Sequence, residues 1–281
     1  MATVSDPSTV TTLPAFDNPP VVETILSVQF DPLRCLTNAK LGAFWYLVRA
    51  DYPLTADAPP TAPQIETFEG SPFSWPPMFQ FRIGQDPSSR LQLRSADKSR
   101  MIQVENGRLS YNWLAQGEQK NYPRFSAIKP AFDGCTKVFF DFLKSEGAGE
   151  PKLIQWEVTY VNHLPRGSVW ESPEDWPRLF RRSQFVLSTD SPKPKFESFN
   201  GSWHFEIEPK QGRLHVEVQH GKTAPPESRE LIALKLTARG PINEKGGNSL
   251  DAGLNLGHAI IVQSFADLTS DEAHKVWRRT Q

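Results

Sequence analysis

Sulfur is scarce in this chain, whose 281 residues include two cysteines and three methionines. Cys35 and Cys135 stand far apart with no CxxC spacing, which argues against a zinc ribbon or a disulfide scaffold and fits a reducing cytoplasm. Both read as small buried apolar residues. No apolar run approaches the roughly 18 to 20 residues that a membrane-crossing helix needs. The opening MATVSDPSTVTTLPAFDNPP has neither a basic start nor an apolar centre, so no export signal is expected. Charge of either sign is not in excess: 31 Lys and Arg face 32 Asp and Glu, a net of -1, so no global field draws the molecule to phosphate or anionic lipid. The phosphate-cradling GxxxxGK[ST] and GxGxxG, the GxSxG elbow and the HExxH pair are all missing. No two of the six histidines share the i, i+4 spacing of a helical metal site, and His215 and His220 point to opposite faces of a strand. Neither a metal nor a cofactor is therefore expected.

Large apolar side chains are plentiful, with 18 Phe and 8 Trp, enough to offset the entropy of ordering the chain. Residues 1–17 read as a disordered lead that becomes fixed near Phe16. VVETILSVQF alternates as a strand with Val22, Thr24, Leu26, Val28 and Phe30 on one side. A helix follows from a Thr37 or Asn38 cap, turning Leu41, Phe44, Trp45 and Val48 inward and stopping before Pro53. Leu54 to Pro63 reads as a surface loop, and SPFSWPP as a second breaker. FQFRIG, RLQLRS, SRMIQVE and GRLSYNW form a meander whose last turn is Asn106-Gly107, a pair that tolerates positive φ. Arg124 to Lys144 returns to helical spacing.

The second half repeats that order. LIQWEVTYVNHL is a long strand, ESPEDWPRLF a short helix capped at Ser172, and QFVLST, FESFNGSWHFEIE, GRLHVEVQ and RELIALKLTA are strands. Leu250, Leu254, Gly257, Ile261, Phe265 and Leu268 mark one face of a closing helix, with a second short helix capped at Thr269. The expected fold is α+β: two tandem β-α-antiparallel meander-α repeats, 18–149 and 150–281, with sheets packed on long helices. The element order resembles TATA-binding-protein-like repeats and helix-grip folds alike.

NPPVVETILSVQF with GAFW, the strand WEVTYVNHL and the ending GHAIIVQSFADLTSDEAHKVWRR together resemble a sporadically distributed bacterial family of uncharacterised proteins. The matching positions are Tyr160 and Asn162, then His258, Phe265, Leu268, Thr269, His274 and Trp277. The resemblance implies a single full-length unit and, through sporadic occurrence, an accessory role such as defence or toxin neutralisation. It implies no chemistry.

Three sites compete on the residues. Tyr160, Asn162 and His258 are polar groups on otherwise apolar faces of the middle strand and closing helix, and would line a small-ligand or hydrolytic site if a cavity touched all three. Otherwise they are satisfied buried groups that dock the helix. Trp277, Arg278 and Arg279 have the composition of an interface centre. Arg94, Arg100 and Arg108, with Arg90, would give the sheet a positive face for nucleic acid, although Asp97 and Glu105 interrupt it. The leading expectation is a cytoplasmic, non-catalytic binding module whose partner is another protein or a second copy of the chain. The small-ligand site stands second and the nucleic-acid sheet third.

Overall fold

The computed structural model describes residues 12–33, 36–62, 64–68, 90–117, 121–181, 196–223, 225–243 and 248–281. Cys35, Trp75 and the expected strands FQFRIG and QFVLST lie outside them.

The opening strand β1 (Val21–Phe30) sits mid-sheet, because both of its edges are paired. On one side is β5 (Arg108–Leu114), reached from β4 (Arg100–Glu105) through the two-residue Asn106-Gly107 turn, with Glu105 opposite Arg108. On the other side is the long β6 (Leu153–Pro165). β2 (Leu54–Ala58) and β3 (Arg90–Arg94) complete the first flank; β7 (Gly201–Ile207), β8 (Gly212–Lys222) and β9 (Glu230–Pro241) form the second. The result is one antiparallel sheet of nine described strands in the order β2-β3-β4-β5-β1-β6-β9-β8-β7. The β1–β6 ladder carries it across the boundary between the two halves.

β2 corrects the expected surface loop over Leu54 to Pro63. LTADA is almost wholly exposed and so shows no apolar alternation, and its place is set by backbone pairing with β3.

Register makes the two faces of the sheet unlike. Leu93, Ile102, Tyr111, Leu26, Val158, Ala238 and Leu214 form one cross-strand row on the buried face. Gln92, Gln103, Ser110, Ser27, Glu157, Arg239 and Arg213 form a polar row on the other. The helices cover the apolar face, as their spacing predicts. α1 (Asn38–Val48) buries Leu41 and Phe44. α2 (Phe125–Ser145) buries Phe125, Ile128, Phe132, Cys135 and Phe139, and leaves Pro130 on its exposed side, where the carbonyl of Ser126 can be hydrated. Ser172 and Asp175 build a capping box ahead of a 3-10 turn that runs into the short α3 (Trp176–Leu179).

α4 (Leu250–Leu268) is the closing helix, capped by Ser249. It lies directly on Trp156: a Cβ on Gly257 would stand 2.7 Å from the indole and 3.0 Å from Val158, and one on Gly253 would be closer still. Lys129 ties α2 to α4 through Asp251 at 2.5 Å. The cap of α5 (Asp271–Val276) is displaced by one residue from expectation. Ser270 Oγ accepts from the Ala273 amide, whereas the Thr269 hydroxyl turns inward, donates to the Phe265 carbonyl at 2.6 Å and lies 2.8 Å from His274 Nε2. A fully buried hydroxyl is better satisfied there than at an exposed cap. Among the described residues no helix is long and apolar enough to cross a membrane.

Candidate functional site

Tyr160 and Asn162 alternate onto the apolar face of β6 and meet His258 from α4 at a cavity of about 330 Å³. The cavity touches all three. Its other walls are mostly apolar: Phe125 and Tyr122 at the start of α2, Ile261 and Phe265 along α4, and the segment 13–16. Tyr122 Oη donates to Tyr160 Oη at 3.1 Å, and Tyr160 Oη lies 2.8 Å from His258 Nδ1. Because Tyr160 Oη already accepts from Tyr122, its own proton is left for Nδ1, an arrangement that favours the tautomer with hydrogen on Nε2. Nε2 has no hydrogen-bond partner among the described residues. The Phe125 ring stacks on the imidazole at a centroid distance of 4.1 Å and an interplanar angle of 2°.

Burial sets the charge state of this relay. Desolvation pulls His258 down to about 4 and pushes the Tyr160 phenol well above its ordinary value, so both are neutral near pH 7. Asn162 is buried and donates to the Leu234 carbonyl at 3.1 Å, bracing β6 against β9 at the cavity wall.

The segment 13–16 is held in place by the C-terminus. The amides of Asp17 and Asn18 donate to the carbonyls of Arg278 and Trp277, and the Thr280 amide donates to the Ala15 carbonyl. Phe16 is buried, so the expected lead of 1–17 is ordered at least from Ala15 onward. Trp277 is buried too, packed 5.1 Å from Phe265 and 6.3 Å from Phe16. The expected trio of Trp277, Arg278 and Arg279 therefore divides. The indole belongs to the core because it closes the apolar end of α4, and the two arginines are exposed.

The arginines expected on one positive face divide as well. Arg94, Arg108 and Arg90 lie on the polar face, while register turns Arg100 to the other, over the Tyr52 ring at 5.6 Å. The more ordered basic group on the polar face is one that sequence reasoning missed. Arg213, His215 and Arg239 converge on Glu66, whose side chain is 5% exposed. No spacing could have flagged it, because its members come from a Pro-rich segment and two distant strands. Tyr122 was missed for a similar reason, standing just ahead of the apolar stripe of α2. Among the described residues no group of His, Cys, Asp or Glu is arranged to hold a metal ion.

Compared with known proteins, the chain matches no family model, no curated protein and no solved structure.

Proposed function

We propose that this protein is a non-catalytic binding module, and that the cavity beneath α4 takes a small, mainly apolar molecule presenting one hydrogen-bond acceptor to His258 Nε2. The Tyr122–Tyr160–His258 relay carries this reading: two tyrosine hydroxyls in series end on one imidazole nitrogen, and the imidazole lines a mostly apolar cavity. A volume of about 330 Å³ is at the small end of ligand sites, which combine apolar walls with a few placed polar groups. Binding fits better than proton transfer. An imidazole held at about 4 is a weak base at neutral pH, and a phenol raised above its usual value stays protonated.

Two further features belong to this reading. Outward from the β1–β6 seam, β1 is followed by β5, β4 and β3, and β6 by β9, β8 and β7, with α2 and α4 closing the respective halves. That correspondence supports two β-α-meander-α repeats sharing one sheet. The sparse, widely spaced cysteines support a cytoplasmic setting. Nucleic acid is disfavoured as ligand, because Glu105, Glu157 and Glu217 share the polar face with its arginines.

The test is a thermal-shift screen with benzoate-sized aromatic ketones, amides and carboxylates. Acceptor-bearing compounds are expected to raise the melting temperature of the wild type, and His258→Ala is expected to abolish the rise. Equal shifts in both proteins, or none across the panel, would overturn the proposal.

A further inference from the structure

Residues 61, 62 and 64–68 lie along the polar face of the sheet without regular secondary structure, and the sheet holds them as a binding protein holds an extended peptide. Main-chain groups are met by side chains rather than by a neighbouring strand. The Glu66 amide donates to Gln155 Oε1 at 2.8 Å, and Gln155 Nε2 donates back to the Gln64 carbonyl at 2.8 Å. The Thr61 amide donates to Glu105 Oε2 at 2.7 Å. A primary amide that reads both the donor and the acceptor of a backbone is a common way to seat an extended chain independently of its side chains.

Side-chain recognition then falls on Glu66. Arg239 Nε stands 2.5 Å and His215 Nε2 2.6 Å from Oε1, and the Arg213 guanidinium pairs with Oε2. Arg239 also reaches the Gln64 side-chain carbonyl, and Arg213 lies 5.0 Å over the Phe68 ring. The carboxylate is held down at about 2 by hydrogen bonds from His215 and Arg239, which outweigh the opposing cost of burial. Arg213, His215 and Arg239 belong to β8 and β9, Gln155 to β6 and Glu105 to β4, so the receptor groups are all strand residues on one face. Beside the cage the cleft widens to about 1130 Å³ over a floor of strand hydroxyls, among them the Ser27–Ser110 and Thr159–Thr237 pairs.

We propose that this polar face is a docking groove for an extended acidic segment of a partner protein, and that residues 64–68 occupy it in cis as an internal stand-in. The partner's carboxylate takes the place of Glu66 between Arg213, His215 and Arg239, and its backbone takes the amide contacts of Gln155. Charge complementarity selects the class: emptied of Glu66, the cage presents two guanidinium groups, of which Arg239 keeps the Glu157 carboxylate at 3.5 Å. A polyanionic backbone fits worse, because Glu105, Glu157 and Glu217 line the same cleft. Occupation in cis lowers the apparent affinity for any partner by the fraction of molecules in which the segment has left. This groove and the cavity beneath α4 lie on opposite faces of the sheet, so the two proposals stand independently.

The probe is a fluorescent peptide with the sequence of residues 61–67, TAPQIET, read by anisotropy against wild type, Glu66→Ala and Glu66→Gln. Each Glu66 variant is expected to bind it at least about tenfold more tightly than wild type, since the internal competitor has lost its anchor. The same peptide with Gln in place of Glu is expected not to bind, and Arg239→Ala added to Glu66→Gln is expected to abolish binding. Equal affinity for both peptides, no gain over wild type in a folded variant, or preferential binding of a single-stranded oligonucleotide would overturn the proposal. Failure of both Glu66 variants to fold would also overturn it, because the segment would then be structural.

Discussion

The Tyr160 hydroxyl lies 2.8 Å from His258 Nδ1 and ties the sheet's second central strand to the closing helix at the wall of an apolar cavity. Most of the remaining contact between that helix and the sheet is apolar, so this bond is where orientation and chemistry meet. Its consequences reach both the pH behaviour of the fold and the docking of α4.

His258 should remain neutral through the physiological range. Its folded-state value of about 4 lies below the ordinary 6.5, so between those values the unfolded chain binds more protons than the native one. Stability should therefore fall as pH drops from about 6.5 to about 4, by at most about 3 kcal/mol from this group. In His258→Gln that part of the slope should vanish. Urea denaturation across the window, with an imidazole NMR titration, measures both; a titration midpoint near 6.5 would refute the prediction.

Gly257 is one of two glycines at which α4 presses on sheet side chains that cannot readily yield. Gly257→Ala would place a methyl group 2.7 Å from the Trp156 ring and 3.0 Å from Val158. Trp156 is fully buried, so the helix must lift, at a cost of about 1–3 kcal/mol. A drop of several degrees in melting temperature is expected, along with loss of the 2.8 Å Tyr160–His258 contact. An unchanged melt would mean the helix already has room to move.

Trp277 separates packing from partner binding. Buried against Phe265 and Phe16, it should cost about 3–5 kcal/mol when replaced by Ala, and it should free the N-terminal wall of the cavity. Arg278→Ala, on an exposed side chain, should stay within about 0.5 kcal/mol of wild type. Chemical denaturation of the two variants provides the comparison. Equal, small effects would return Trp277 to the surface reading.

The legible parts of the fold are those with a local period. β1 and α4 appear at Val21–Phe30 and Leu250–Leu268 because alternating or helically spaced apolar residues can bury only one way, and the Asn106-Gly107 turn specifies its own hairpin. Tyr160, Asn162 and His258 were visible as site candidates because each interrupts such an apolar face. Leu54–Ala58 was not visible as a strand, since an exposed edge has no buried side to create a pattern. The off-by-one cap at Ser270 shows a related limit: Thr269 and Ser270 have similar local claims, and only the buried partner His274 tells them apart.

By itself the sequence determined the apolar faces of β1 and α4, where the two long helices run and which three polar groups stand on apolar faces. Tertiary structure alone decided that both halves share one sheet, that α4 brings His258 to Tyr160, that Trp277 turns inward, and that Glu66 lies between Arg213, His215 and Arg239. The physical reason is range. Periodicity and capping act over a few residues, whereas strand order, cavities and charge cages depend on backbone and side-chain partners brought together from distant positions, which no local spacing records.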